Sequence, residues 1–180
     1  LPLKEKGLTL YFVGLSGSGK STLANFIMSR LSEFTNKKIT YLDGDVVRRN
    51  LSQGLGFSLS DRSINTQRIG YVCAEITRHN GIAIAANIAP LKKDREINRK
   101  MISAQGNYVE IFMDSSIENC EKRDVKGLYQ LAKKGLINDF TGISSPFEIP
   151  ENPEITLRDN DSIENNINKV VTYLKFKKLI

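Results

Sequence analysis

Apolar positions along this chain come in short runs that alternate with helical rhythms. Leu8-Thr9-Leu10-Tyr11-Phe12-Val13 is an apolar, β-rich stretch of strand length. After a glycine-rich loop, Leu23, Phe26, Ile27, Leu31 and Phe34 recur at helical spacing and predict a first helix. Lys38 to Leu42 reads as a second strand that stops at Asp43-Gly44-Asp45, and Arg48 to Ser60 is turn-rich. Asp61 to Asn80 is helical, with Ile69, Val72, Cys73 and Ile76 on one face and Gly81 as its C-cap. Ile82 to Ala86 is apolar without alternation, as in a strand buried on both faces. Lys92 to Ala104 returns to helix, Tyr108 to Met113 to strand, and Ser116 to Lys122 to a short helix. Glu154 to Leu157 is a final strand. Ile163, Ile167, Val170, Val171 and Leu174 then give the last helix a clear 3.6-residue period.

Strands alternating with helices imply an α/β fold, a five-stranded parallel sheet with helices on both faces. In such sheets ligands gather beyond the carboxyl ends of the strands. The loop after the first strand, Asp43 to Arg48, and Asn87 to Lys93 all follow strands directly, so they converge on one rim. The stretch from Asp124 to Pro153 breaks the rhythm. It mixes glycines, lysines, Tyr129, Phe140, Phe147 and three prolines, with room for a short helix over Leu128–Lys134. A long irregular segment in a compact domain is usually functional, and here it reads as a lid, about residues 124–153.

The loop itself is the strongest chemical signal. Gly14-Leu15-Ser16-Gly17-Ser18-Gly19-Lys20-Ser21 fits G-x-x-x-x-G-K-[ST] at every fixed position, between a strand and a helix. Glycines let successive N–H groups face one anion, and the helix N-terminus adds partial positive charge. Lys20 brings a full charge to the outer phosphates, and Ser21 offers a hydroxyl to Mg²⁺. Asp43 and Asp45 stand within reach. Phosphoryl transfer needs a metal on the phosphates and a group that takes the hydroxyl proton, so two carboxylates here divide that work. Taken alone, a D-G-D turn merely ends a strand. Farther on, Arg48 and Arg62 flank Phe57, a set suited to a planar ring bearing anionic groups. Each of these residues taken singly also reads as helix-surface charge or a core phenylalanine.

Composition narrows the class. The 180 residues suit one domain with a core, and 40% apolar with 26% charged residues is an ordinary soluble balance. No apolar run has the length of a membrane span, and no signal peptide is visible. The chain opens Leu1-Pro2-Leu3 rather than with Met, which fits a domain of a longer polypeptide. Cys73 and Cys120 lie far apart within predicted helices and read as small buried hydrophobes of a reducing, cytoplasmic compartment. The net charge of +6 is scattered and carries no nucleic-acid-binding signature, so it points to phosphate-rich ligands and solvated surface. The basic stretch Lys175-Phe176-Lys177-Lys178 reads as the solvated end of a helix.

Together these segments resemble the adenylylsulfate (APS) kinase family of P-loop kinases. The likeness runs in order from Leu8 to Leu157. It takes in Gly14–Thr22, Leu42-Asp43-Gly44-Asp45 with Arg48, and Leu55-Gly56-Phe57-Ser58 with Asp61-Arg62 and Asn65. It continues through Arg68-Ile69-Gly70, Lys93-Asp94-Arg95, Arg123–Tyr129, Phe140-Thr141-Gly142-Ile143 and Pro150–Glu154. The Arg123–Tyr129 and Phe140–Ile143 stretches are its most specific part.

The resemblance implies ATP-dependent phosphorylation of the 3′-hydroxyl of adenosine 5′-phosphosulfate (APS), with Mg²⁺, by a homodimer. An ATP sulfurylase, fused or associated, is a further implied partner. It assigns Asp45 as base or orienting carboxylate and places Asp43, with Ser21, on the metal side. Phe57 and Phe140 stack on the acceptor adenine, and Arg48, Arg62 and Asn65 hold its phosphosulfate and ribose end. Lys126 reaches the transferring phosphoryl group, and Arg123 covers the nucleotide bound by Gly14–Thr22.

The chain departs from the family in two places. Ala89 replaces a common serine, which removes any phosphoserine route, and Gln67 stands where arginine is common. Two alternatives stay open at this point. One is a catalytically silent nucleotide-binding regulatory domain. The other is a same-fold kinase acting on a different small hydroxyl compound.

Overall fold

A computed structural model of the protein describes residues 6–180. The Leu1-Pro2-Leu3 opening lies outside them. The described residues build five strands, β1 (Leu8–Val13), β2 (Ile39–Asp43), β3 (Ile82–Ala86), β4 (Asn107–Asp114) and β5 (Ile155–Arg158). Every pairing is parallel, in the order β2-β3-β1-β4-β5. The register sets Phe12 and Asp43 both beside Ala86, so the carboxyl ends of the inner strands reach one level.

The strand period of two sorts β1 between two cores. Leu8, Leu10 and Phe12 face one layer, against Leu23, Ile27 and Leu31 of α1 (Lys20–Leu31) and Ile167, Val170 and Leu174 of α7 (Ile163–Phe176). Tyr11 and Val13 face the other, against Ile69 and Cys73 of α3 (Leu59–Arg78) and Ile102 of α4 (Lys92–Ser103). Burying each such Leu or Ile side chain contributes about 1.5–3 kcal/mol. Cys73 and Cys120 are free and buried, as their helical positions predict.

Three sequence expectations change. Asp43-Gly44-Asp45 does more than end a strand: it opens a helix, α2 (Gly44–Asn50), where the chain reads as turn. The Asp43 carboxylate caps it by accepting from the N–H groups of Asp45 and Val46. A seven-residue helix that buries only Val47 leaves no periodic trace. α3 is capped at His79, and the left-handed residue that follows is Asn80, not Gly81. Asn80 takes the left-handed conformation (φ 62°), with Asn80 N–H bonded to Thr77 O and Gly81 N–H to Ile76 O. Phe26 and Phe34 share the helical spacing but are exposed; α1 ends at Leu31, and Lys175 Nζ lies 4.0 Å from the centre of the Phe34 ring.

Candidate active site

The loop between β1 and α1 closes tightly because glycine occupies its left-handed positions. At Gly17 (φ 76°) a Cβ would also sit 3.1 Å from the Cys120 carbonyl oxygen. Lys20, the first residue of α1, is buried against the loop. Its ammonium donates to Gly14 O (2.9 Å), Leu15 O (2.6 Å) and Ser18 Oγ (3.4 Å). Burial pushes this amine down to about 8, with the nearby Lys126 charge adding to the effect.

The Ser21 hydroxyl, one residue on, donates to Asp43 Oδ2 at 3.3 Å. Tyr41 donates to the same oxygen at 3.1 Å. Asp43 therefore has two working sides, Oδ1 capping α2 and Oδ2 facing the loop. Burial by itself would raise its carboxyl. The bonds from Asp45, Val46, Tyr41 and Ser21 outweigh that and hold it below the usual carboxylate range. Asp45, in the first turn of α2, forms an ion pair with Lys126.

A cleft of about 420 Å³ runs from the loop past these aspartates to α3 and the end of β3. Arg48 and Arg62 lie 4.3 and 5.5 Å from the centre of the Phe57 ring. The ring is held by its own backbone, since Arg62 Nε donates to Phe57 O at 2.9 Å and Arg48 Nη1 to Gly56 O at 2.9 Å. Phe57 as a whole stays 53% exposed. Burial, reinforced by Arg48, brings Arg62 down to about 10. Asn65 is buried in the cleft wall, and its Oδ1 has no partner among the described residues.

Segment 124–153 closes the far side. It carries α6 (Leu128–Lys133), as the sequence predicts, and packs Tyr129 and Phe140 edge to face at 4.9 Å. These two share a small core with Leu15 of the phosphate loop. Arg123, at the end of α5 (Ile117–Arg123), donates to Gly17 O (3.2 Å) and pairs with Asp159 (3.0 Å). The segment returns to the rim where Glu148 N–H donates to Pro90 O at 2.9 Å.

The cleft thus brings together Gly17, Gly19, Lys20, Ser21, Thr22, Asp43, Asp45, Arg48, Phe57, Arg62, Asn65, Arg123, Lys126 and Phe140. Phe140 lines it with little of its surface free, being buried among Tyr129 and Leu15. Gln67 does not line it. Its amide donates to Asp94 Oδ1 at 2.9 Å, between α3 and α4. Ala89 does line it, with φ 45°, its carbonyl accepting from Arg95 at 2.7 Å.

Sequence reasoning placed Asn87 on the rim and Tyr129 in the lid but gave no site role to either, nor to Tyr41. Tyr41 was findable, because residues two apart on a strand share a face and Asp43 was already singled out. Asn87 directly follows β3, and its Nδ2 donates to Thr66 Oγ1 at 3.2 Å, a tertiary contact with no local signal.

A family model for adenylylsulphate kinase matches residues 6–158. The adenylyl-sulfate kinase of Picosynechococcus is 45% identical over 173 residues, covering 96% of each chain. That of Staphylococcus epidermidis is also 45% identical, covering 95% of this chain and 85% of its own. Among solved structures, the Mycobacterium tuberculosis APS kinase in complex with AMPPNP and APS superposes with a TM-score of 0.89 at 37% identity, covering 94% of this chain and 98% of that one. A shikimate kinase from Aquifex aeolicus, at 16% identity and a TM-score of 0.55, shares the fold alone, covering 95% and 98% of the two chains.

Proposed function

The chain belongs to the adenylylsulfate kinase family, and from that premise we propose how its rim divides the chemistry. The activity is transfer of the terminal phosphoryl group of ATP to the 3′-hydroxyl of adenosine 5′-phosphosulfate, giving ADP and 3′-phosphoadenosine 5′-phosphosulfate. The silent-domain alternative finds no support, since the loop and both aspartates are intact and face one cleft.

The loop N–H groups and Lys20 hold the triphosphate. Lys20 bonds its own loop carbonyls in the free protein, so the ammonium waits in the cradle without solvent reorganisation. Ser21 Oγ and Asp43 Oδ2 are hard oxygen donors 3.3 Å apart, which fits Mg²⁺. Bound there, the ion would neutralise charge on the phosphates.

Phe57 stacks on the acceptor adenine and Phe140, buried against Tyr129 and Leu15, backs the cleft wall beside it, while Arg48, Arg62 and Asn65 take the acceptor's anionic and ribose end. Asp45 leaves Lys126 to accept the hydrogen bond of the 3′-hydroxyl, aiming that oxygen at the phosphoryl group. Lys126, so released, follows the charge onto the transferring oxygens. Segment 124–153 is the lid that excludes water from this step. Ala89 has no hydroxyl, so no phosphoserine at this position relays the group, and direct in-line transfer needs only the positioning, metal and base described.

The observation that carries this reading is the Asp45–Lys126 pair, which joins the rim to the covering segment inside the cleft that holds the loop. The test is ADP release with and without the acceptor. Stimulation only when a 3′-hydroxyl is present supports the reading, and acceptor-independent or absent ADP formation overturns it.

The proposal extends to a cytoplasmic homodimer. Among the described residues no helix is long and apolar enough to cross a membrane, and Ile64 and Tyr71 of α3 and Ile97 of α4 are exposed apolar side chains that a second copy could cover. Sedimentation at micromolar concentration should give twice the chain mass. An ATP sulfurylase, joined or separate, is the activity that would supply the acceptor.

A further inference from the structure

Tyr129 has no task in the reaction as described, yet it is 2% exposed and reaches across 113 residues to the phosphate loop. Its hydroxyl donates to the Ser16 carbonyl at 2.7 Å. Its ring packs edge to face on Phe140, and its helix is fixed at the start by Asp124, whose carboxylate accepts from the N–H groups of Tyr129 and Gln130. The phenol is therefore a donor on a rigid mount. Burial pushes its titration far above the ordinary value, so the proton stays on.

The bond has a directional consequence. A trans peptide plane points its carbonyl and the following N–H to opposite sides. Fixing Ser16 O toward α6 turns the Gly17 N–H away from α6. Gly17 sits at φ 76°, where glycine leaves the adjoining planes free to rotate, so the loop alone does not select this orientation. Arg123 secures the next plane by donating to Gly17 O, and the Cys120 carbonyl packs where a Gly17 side chain would lie. The outer surface of the loop is thus braced from α5 and α6 at consecutive peptides.

We propose that Tyr129 is a positioning residue for nucleotide binding: through Ser16 O it sets the 16–17 peptide plane so that the Gly17 N–H faces the phosphates. This rests on the reading of the loop as a triphosphate cradle. It makes the lid part of the donor site, tied to the loop before any nucleotide arrives.

Tyr129→Phe removes the hydroxyl and keeps the ring, so the contact with Phe140 survives. Calorimetry with Mg²⁺ and inorganic tripolyphosphate isolates the loop from both nucleoside sites. The variant should bind tripolyphosphate about tenfold more weakly, and a non-hydrolysable ATP analogue more weakly by the same factor. Acceptor affinity without nucleotide should stay within about twofold, and the melting temperature should fall by no more than about 4 °C. Tripolyphosphate binding within about twofold of the unmodified protein, or equal losses for tripolyphosphate and acceptor, overturns the positioning role. Failure of the unmodified protein to bind tripolyphosphate defeats the cradle reading, and this inference with it.

Discussion

The phosphate cradle and the acceptor cleft share one rim but are built in opposite ways. The cradle is contiguous in sequence: eight residues supply the loop, its lysine already bonds Gly14 O, Leu15 O and Ser18 Oγ, and Tyr129 and Arg123 brace its outer carbonyls. The acceptor cleft is assembled from α2, the start of α3, the end of β3 and segment 124–153. Its polar groups are less complete. Asn65 and Asn87 each leave an unpartnered Oδ1, Phe57 stays exposed, and Asp45 is held by Lys126. A self-satisfied cradle presents fixed dipoles, whereas a half-satisfied cleft gains most when its ligand brings the missing partners. Changes in the cradle should therefore act through the triphosphate and leave acceptor affinity alone, loss of the Asp45 carboxylate should strike turnover, and changes at the Phe57 side should strike affinity for the acceptor alone.

The sharpest break of that contrast is Lys20→Ala. Acceptor-dependent ADP release should fall by about 10³-fold or more, measured under saturating substrates. Asp45→Asn comes next, with turnover down by about 10²–10³-fold and calorimetric affinity for an ATP analogue within about twofold. Loss of nucleotide affinity there would mean that Asp45 serves the cradle instead. Phe57→Ala should raise the acceptor KM by about tenfold while the ATP KM stays put. A matching rise in both would erase the division between the two regions.

Acidity gives a subtler test. Lys20 is held at about 8 in the free fold against an ordinary 10.5, so between those values the unfolded chain binds more protons. Stability of the free protein should accordingly rise with pH across that window. Triphosphate binding needs the ammonium, so affinity should weaken with pH above about 8, approaching tenfold per unit, with proton uptake visible in calorimetry across buffers. A pH-independent affinity would show that the amine stays charged in the free cradle. The smallest effect belongs to Gln67→Arg. Because Gln67 bonds Asp94 away from the cleft, the acceptor KM should shift by less than about twofold, as initial rates would report.

The contiguous half of the molecule was legible because its signals are local. The apolar run Leu8–Val13, the 3.6 period in Ile163–Leu174 and the fixed loop spacing each lie within one segment, and the five-stranded parallel sheet followed from the alternation of such segments. Local reasoning failed where two choices were locally equivalent. Asn80 and Gly81 both tolerate a left-handed conformation, and the structure places it at Asn80, where the N–H groups of Asn80 and Gly81 reach Thr77 O and Ile76 O. In α2 the one buried apolar residue set no rhythm.

By itself, then, the sequence determined the order of elements, the phosphate loop and the residues available to the rim, since each depends on neighbours within a few positions. Only the tertiary structure decided which of them meet. Lys126 finds Asp45 across 81 residues and Tyr129 finds Ser16 across 113. Gln67 turns to Asp94 instead of the cleft. Contacts over such separations are fixed by how helices pack on the sheet, because no local period or spacing encodes the direction in which a distant segment returns.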